Sequence, residues 1–466
     1  MSDVSRLPRP PRRAPGGGFG LPRPKAPEPL VPGLGARLAA EQAIAEALAQ
    51  GRPLDEFFGA ASIAPRLDGL DARDRALARS IATVAMRRMG TIRKALAERL
   101  EKGLPKKAGN LEATLIAGAA QVLFMDAADH AAVDLAVRTV KRDPRTQGLA
   151  GLVNAVLRSI ARERETILAR SDPLDDDASP WLAQRWRKTY GEETARAIAA
   201  AHREEPSLDL TVKSDPEGWA RRLGGVVLPT GSVRLVTHAP VPELEGYADG
   251  EWWVQDAAAA LPARLLGPRP GERVADLCAA PGGKTAQLAL AGAEVVALDR
   301  SAERLKRLTA NLERLNLAAE TRVGDAASFE APLFDAVLLD APCSSTGTIR
   351  RHPDVAWTKR ATDVAALAVT QGRLLSRAAR LLKPGGRLVY CVCSLEPEEG
   401  LAQIEALLRR DPDLRRLPIE VGECGVGADM LSAQGDLRTL PSQMRGDTPR
   451  LSGLDGFYAA RLQRGR

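Results

Sequence analysis

From about Tyr247 onward the chain alternates short apolar runs with helical stretches, and this alternation narrows the fold more than any other feature. RVADLCAAPGG, EVVALDRS, RVGDA, FDAVLLDAPC and GRLVYCVCS all end in small or acidic residues. After the second run, SAERLKRLTANLERLN puts Leu305, Leu308, Leu312 and Leu315 on one side of a helix, with Ser301 as its N-cap. Strands that alternate with helices make a doubly wound parallel sheet, because the crossover helices must cover its faces. Such sheets bind ligands outside the carboxyl ends of their strands. The working residues of 247–466 are therefore expected where the runs end.

The preceding residues read differently. In GLAGLVNAVLRSIARER, Leu149, Leu152, Val153, Val156, Leu157 and Ile160 share one helical face. ATLIAGAAQVLFMD (113–126) is apolar around most of its circumference, as a central helix is. With further helices over 36–50, 72–89 and 130–142, residues 35–166 read as an all-α domain of six or seven helices. Between 167 and 246, SPWLAQRWRKTYG predicts a helix capped by Ser179 with Pro180 in first position. LDLTVKS and GVVLPTGSVRLV predict short strands around a helix holding Trp219, which makes a small α+β linker module. Residues 1–34, dominated by Pro, Gly and Arg, cannot bury a core and are expected to form a disordered basic arm.

Lys and Arg total 66 against 59 acids, a mild excess that suggests a polyanionic partner without proving one. Five cysteines, an odd and low number for 466 residues, argue against a disulfide framework. No stretch has the length of a membrane span, and the N-terminus has no apolar signal core. The expectation is a cytoplasmic protein with reduced thiols and no membrane partner.

Several residues at the strand ends carry chemistry. In ADLCAAPGGKTAQLA, Gly282 and Gly283 let the backbone turn tightly beside a ligand at the next helix's N-terminus. The run is neither G-x-G-x-x-G nor G-x-x-x-x-G-K-[ST], which disfavours a nicotinamide dinucleotide and a nucleoside triphosphate. A glycine pair after a strand is also an ordinary turn. Asp299 closes the second strand, where a carboxylate can accept ribose hydroxyls; Asp325 and Asp340 close the third and fourth. One strand-end Asp is more often a helix cap than a ligand, but acids at three successive ends weaken that alternative. Cys343 sits on a Pro-Cys turn after the fourth strand. Cys393 closes the fifth, on the same strand face as Cys391. Cys343 and Cys393 would converge over one pocket if those strands are neighbours; two separately buried cysteines remain the alternative. With four histidines and no paired C-x-x-C, a zinc site is hard to assemble, and no metal is expected. GTIRRHPDVAWTK (347–359) offers Arg350, Arg351, His352 and Lys359 to phosphates and Trp357 for stacking, with solvated surface as the other reading of each arginine.

The set DLCAAPGGKT, ALDRS, GDA, DAPCSSTG and VCSLEPEE resembles the RNA cytosine-5 methyltransferases that use S-adenosylmethionine. RDRALARSIATVAMRRMG, AAQVLFMDAADHAAVDLAV and GLAGLVNAVLR resemble the NusB-like RNA-binding domain. That pair, in that order, is similar to the bacterial 16S ribosomal RNA methyltransferases of the RsmB/Sun group, from about residue 35 to DGFYAARLQ, which resembles the family's last strand.

The resemblance implies a NusB-like helical domain, the linker module, and a Rossmann-like methyltransferase domain over 247–466. It implies S-adenosylmethionine as cofactor, held by the loop Cys278, Ala279, Ala280, Pro281, Gly282, Gly283 and Lys284. Asp299 would hold the ribose, Asp325 would lie by the adenine, and Asp340 near the methionine end and the target base. Lys284 would also favour a nearby thiolate, although an ordinary helix-start lysine is its other reading. C5 of cytosine is a poor nucleophile until a thiolate adds to C6, and the family places that nucleophile at the position of Cys393, with Cys343 assisting release. DNA cytosine-5 methyltransferases use the Pro-Cys thiol instead, so a second thiol at Cys393 points to RNA. Cys391, where the family commonly has a small residue, is read as packing. The implied substrate is 16S ribosomal RNA, free or in an early small-subunit particle, with the base out of its stack, acted on by a monomer. The rivals are the same chemistry on transfer RNA, and a non-catalytic RNA-binding or antitermination factor. Possession of both thiols and all three acids argues against the latter.

Overall fold

The computed structural model describes residues 31–59, 67–105, 108–237 and 239–466. The basic arm expected over 1–34 lies outside the described residues as far as position 30. Eight α-helices among the described residues lie between Leu34 and Ala169. Leu111–Phe124 is central, with every residue but Glu112 and Phe124 buried, which is why its sequence is apolar all round. The helices Leu34–Gln50, Ala72–Arg87, Asp129–Arg142 and Ala150–Arg162 pack around it, the last through Val153, Val156, Leu157 and Ile160.

The next module begins with the helix Pro180–Tyr190, preceded by Ser179 in the capping position, although the Ser179 hydroxyl makes no capping bond. Its sheet runs in the order β2-β3-β1-β4, from β1 (Leu208–Val212), β2 (Val226–Val227), β3 (Val233–Leu235) and β4 (Trp252–Val254), all antiparallel. β4 joins from beyond residue 246 because Trp252 completes an apolar cluster with Leu210, Trp219 and Val233.

The large sheet contains β5 (Arg273–Leu277), β6 (Glu294–Asp299), β7 (Glu320–Val323), β8 (Phe334–Asp340), β9 (Leu382–Val392), β10 (Leu414–Arg416), β11 (Leu437–Arg438) and β12 (Tyr458–Arg464). Its order is β10-β12-β9-β8-β5-β6-β7, with β11 paired to β12. β5 to β9 are parallel, as the alternation requires, and β8 lies directly beside β9. The sheet departs from an all-parallel one at one edge. The helix Leu401–Arg410 carries the chain from β9 past a gap to β10, and β12 fills that gap antiparallel to both. The helix Ala302–Arg314 is capped as its sequence implies, Ser301 Oγ accepting the Arg304 N–H at 3.2 Å, with Leu305, Leu308, Leu312 and Leu315 buried. Among the described residues no helix is long and apolar enough to cross a membrane.

Candidate active site

The loop after β5 begins with Cys278 in the left-handed region (φ 63°) and turns through Gly282 (φ 102°) into the helix Gly283–Leu290. A Cβ on Gly282 would lie 2.6 Å from Leu308 Cγ, so both conformation and space demand glycine there. Asp299, at the end of β6, pins this loop: Oδ2 accepts the Ala280 N–H at 3.2 Å and Oδ1 the Ser301 N–H at 2.9 Å. Beside it, at the carboxyl ends of the parallel strands, opens a cleft of about 230 Å³ lined by Cys278, Asp299, Asp325 and the apolar Leu298, Ala326 and Pro342. Asp325 stands two residues past β7, exposed, with Oδ1 accepting the Ala327 N–H at 2.9 Å. Of the expected loop, Cys278 lines the cleft, while Ala279 to Gly283 form the turn beside it. Burial, with the Asp340 and Asp299 charges added, pushes the Cys278 thiol up to about 12, so this sulfur is a neutral wall. A carboxylate at the second strand's end, apolar walls and a tight main-chain turn fit a nucleoside: the acid suits ribose hydroxyls and the walls suit a base.

The thiols lie at the next strand pair. The β8–β9 register sets Cys391 opposite Asp340. Cys391 is fully buried, its Sγ donating to Asp340 Oδ1 at 3.5 Å, and burial, followed by the Asp340 charge, holds its thiol well above the usual range. Cys393 packs against the same apolar cluster as Cys391, as residues sharing a strand face do. Its Sγ is 3.4 Å from Cys343 Sγ, so the two thiols form one site rather than two separate buried ones. The hydrogen bond with Cys393, reinforced by burial, drives the Cys343 thiol well above its ordinary value. That same hydrogen bond lowers Cys393 against the burial that would raise it. The pair is thus asymmetric: Cys343 is the less acidic sulfur and Cys393 the more acidic one. Ser345, another left-handed residue (φ 60°), places Oγ 3.6 Å from Cys393 Sγ.

Lys284 Nζ donates to Asp340 Oδ2 at 2.7 Å and lies 5.1 Å from the centre of the Phe457 ring. Burial works to lower Lys284, but Asp340 outweighs it and the ammonium is raised and held charged. Its field is a smaller contribution to the lowering of Cys393.

Two buried acids at the site had no expected role. Asp276, inside β5, is fully buried; its Oδ2 accepts from Thr285 Oγ1 at 2.6 Å and its Oδ1 has no hydrogen-bond partner. Burial raises its carboxyl to about 7. The signal was present, an acid within the apolar run RVADL. Glu399, fully buried, follows Cys393 in the run CSLEPEE and binds the loops that carry both thiols.

The segment 347–359 is where the expectation fails. Arg350 is 2 % exposed and pairs with Asp256 at 3.2 Å, while Arg351 pairs with Asp256 and Asp455. His352 Nδ1 is 2.9 Å from Asp55 of the helical domain, and Trp357 Nε1 donates to the Met86 carbonyl at 2.8 Å. His352 and Trp357, with Arg351 through the Ser207 carbonyl at 3.1 Å, brace the domains against one another, while Arg350 binds within its own domain. Arg350 is buried and Trp357 spends its N–H on the main chain, so these two are not the phosphate and base contacts that the run suggested, whereas Arg351 and His352 line an open cleft.

A nucleoside cleft at the carboxyl edge of a mostly parallel sheet, with a pair of thiols beside it, fits an S-adenosylmethionine-dependent methyltransferase. Comparison with known proteins narrows the class. Residues 263–463 match the family model "16S rRNA methyltransferase RsmB/F", and residues 35–162 match that of the NusB family. "Ribosomal RNA small subunit methyltransferase B" of Vibrio cholerae is 34 % identical over 446 residues, covering 92 % of this chain and 97 % of that protein. The Xanthomonas campestris protein of the same description is 37 % identical over 413 residues, covering 84 % and 92 %. The crystal structure of PH0851 shares the fold, with a TM-score of 0.70 at 24 % identity over 94 % of this chain and all of that one. The chain belongs to the RsmB/F family of 16S rRNA methyltransferases. It is an RNA methyltransferase that uses S-adenosylmethionine.

Proposed function

We propose that this enzyme methylates C5 of one cytidine in 16S ribosomal RNA through a covalent bond between Cys393 and C6, with Cys343 promoting release. The observation that carries this reading is the thiol pair, 3.4 Å apart, in which the hydrogen bond raises Cys343 and lowers Cys393. Ribosomal RNA as substrate is supported by the family and by the relatives' descriptions.

When bound, S-adenosylmethionine supplies an electrophilic methyl group; Asp299 would hold its ribose, Asp325 would flank its base, and the turn from Cys278 to Lys284 would line its remaining side. The Cys393 thiolate adds to C6 and moves electron density to C5, turning a poor nucleophile into an enamine-like one. Once C5 carries the methyl group, its proton leaves to solvent, the C5–H pair restores the C5–C6 double bond, and the C6–S pair returns to Cys393. The Cys343 hydrogen bond favours that departing thiolate. Asp340, tied to Lys284, would meet the edge of the flipped base. The NusB-type domain would add affinity through Arg and Lys contacts to the RNA backbone.

Covalent trapping tests the reading. Cys343→Ala protein, mixed with protein-free small-subunit RNA and S-adenosylmethionine, is expected to retain a protein–RNA adduct on a denaturing gel. The adduct should vanish in the Cys343→Ala/Cys393→Ala double variant. Absence of adduct while wild type still methylates that RNA overturns the two-thiol chemistry. Methylation of transfer RNA but not of this RNA overturns the substrate.

A further inference from the structure

Both thiols sit on loops, and loops hold a sulfur at a fixed place only if something ties them. Glu399 is 0 % exposed and accepts four hydrogen bonds. Oε1 takes the Ser344 N–H at 2.9 Å and Gln371 Nε2 at 3.1 Å, while Oε2 takes the hydroxyls of Ser344 and Ser394. Ser344 directly follows Cys343, and Ser394 directly follows Cys393. Gln371 Nε2 also donates to the Pro342 carbonyl at 2.9 Å, so the chain is gripped on both sides of Cys343. The Glu399 carbonyl is fixed in turn by the Tyr390 hydroxyl at 2.6 Å, within the strand that leads to Cys393.

Four donors saturate a carboxylate, and no cation pairs with this one among the described residues. We propose that Glu399 is the positioning residue of the thiol pair: it holds the two cysteine loops in register and decides which sulfur acts as nucleophile. Its negative charge adds to the hydrogen bond and burial that keep the proton on Cys343. It reaches neither cofactor cleft nor sulfur directly. The selectivity it imposes rests on the two-thiol reading given above, but can be measured without substrate.

The test is competitive alkylation of the RNA-free protein by iodoacetamide across a pH series, with each cysteine quantified by peptide mass spectrometry. Wild type should label Cys393 ahead of Cys343. In Glu399→Gln, which keeps shape and removes charge, that preference should fall about tenfold, the change expected for one unit of thiol acidity. In the same variant kcat should fall about 100-fold, as for a reacting group displaced by an ångström, with KM for RNA and cofactor within twofold of wild type. Gln371→Ala, which leaves the carboxylate but loosens the Pro342–Cys343 side, should lower the preference by about threefold. It also serves if Glu399→Gln does not fold. A folded variant that loses activity yet labels with the wild-type preference overturns the proposal, because purely structural damage would do that. If the preference collapses in Glu399→Gln while trapping with RNA fails, the clamp stands and the adduct chemistry falls.

Discussion

The thiol turn at 343–346 and the brace at 350–357 are separated by a few residues of one connection, yet they spend their polar groups in opposite directions. In the first, Ser344 and Thr346 bond inward to Glu399 and to the main chain after Cys393, leaving the two sulfurs facing each other. In the second, Arg350 and Arg351 bind Asp256 and Asp455 of the same domain, Arg351 also reaches the Ser207 carbonyl of the linker, and His352 and Trp357 reach the helical domain. The first fixes the two sulfurs within one domain, and the second, through Arg351, His352 and Trp357, ties domains to one another. Residue type does not separate the two uses; what packs against the segment does.

Three variants would break or sharpen that contrast. Cys393→Ala should abolish methyl transfer, by about 10⁴-fold or more, with the unfolding midpoint nearly unchanged. Residual turnover within tenfold of wild type would show that the thiol turn is not the chemical centre. Arg350→Ala should act in reverse, costing about 3 kcal/mol of stability in denaturant titration because Asp256 and Asp455 lose a buried partner, while turnover per folded molecule stays near wild type. If stability is unaffected but RNA affinity drops, the segment works as an RNA contact after all.

The third effect, similar in size to the second, is seen only against pH. The folded carboxyl of Asp276, raised to about 7, binds a proton more tightly than in the unfolded chain. The folded state therefore holds an extra proton between about pH 4 and 7, and stability falls as pH rises through that window. Asp276→Asn should remove roughly 3 kcal/mol of that fall, so its stability relative to wild type should grow from pH 4.5 to 7.5. Parallel curves would mean that Asp276 is not protonated in the fold.

Much of this was legible in the chain. Period-2 and period-3.6 patterns marked the strands β5 to β9 and the helices, because those elements bury one face or both against neighbours close in sequence. The convergence of Cys343 and Cys393 was readable once their strands were taken as adjacent. What sequence could not show was the partner of each polar side chain. Trp357 looked ready to stack on a base, and only the Met86 carbonyl, far away in the chain, reveals its use. Glu399 stood in plain view within the motif, but four donors from three separate stretches had to be assembled before it had a role.

The late strand β12 carries a consequence for how the enzyme is made. It covers the open side of β9, with Tyr458 opposite Val392, the residue just before Cys393. During synthesis β9 emerges long before β12, so the strand that leads to Cys393 waits with a bare hydrogen-bonding edge while the whole of 393–457 is translated. The strand neighbour that seats Cys393 on this side is therefore in place only once β12 has been made.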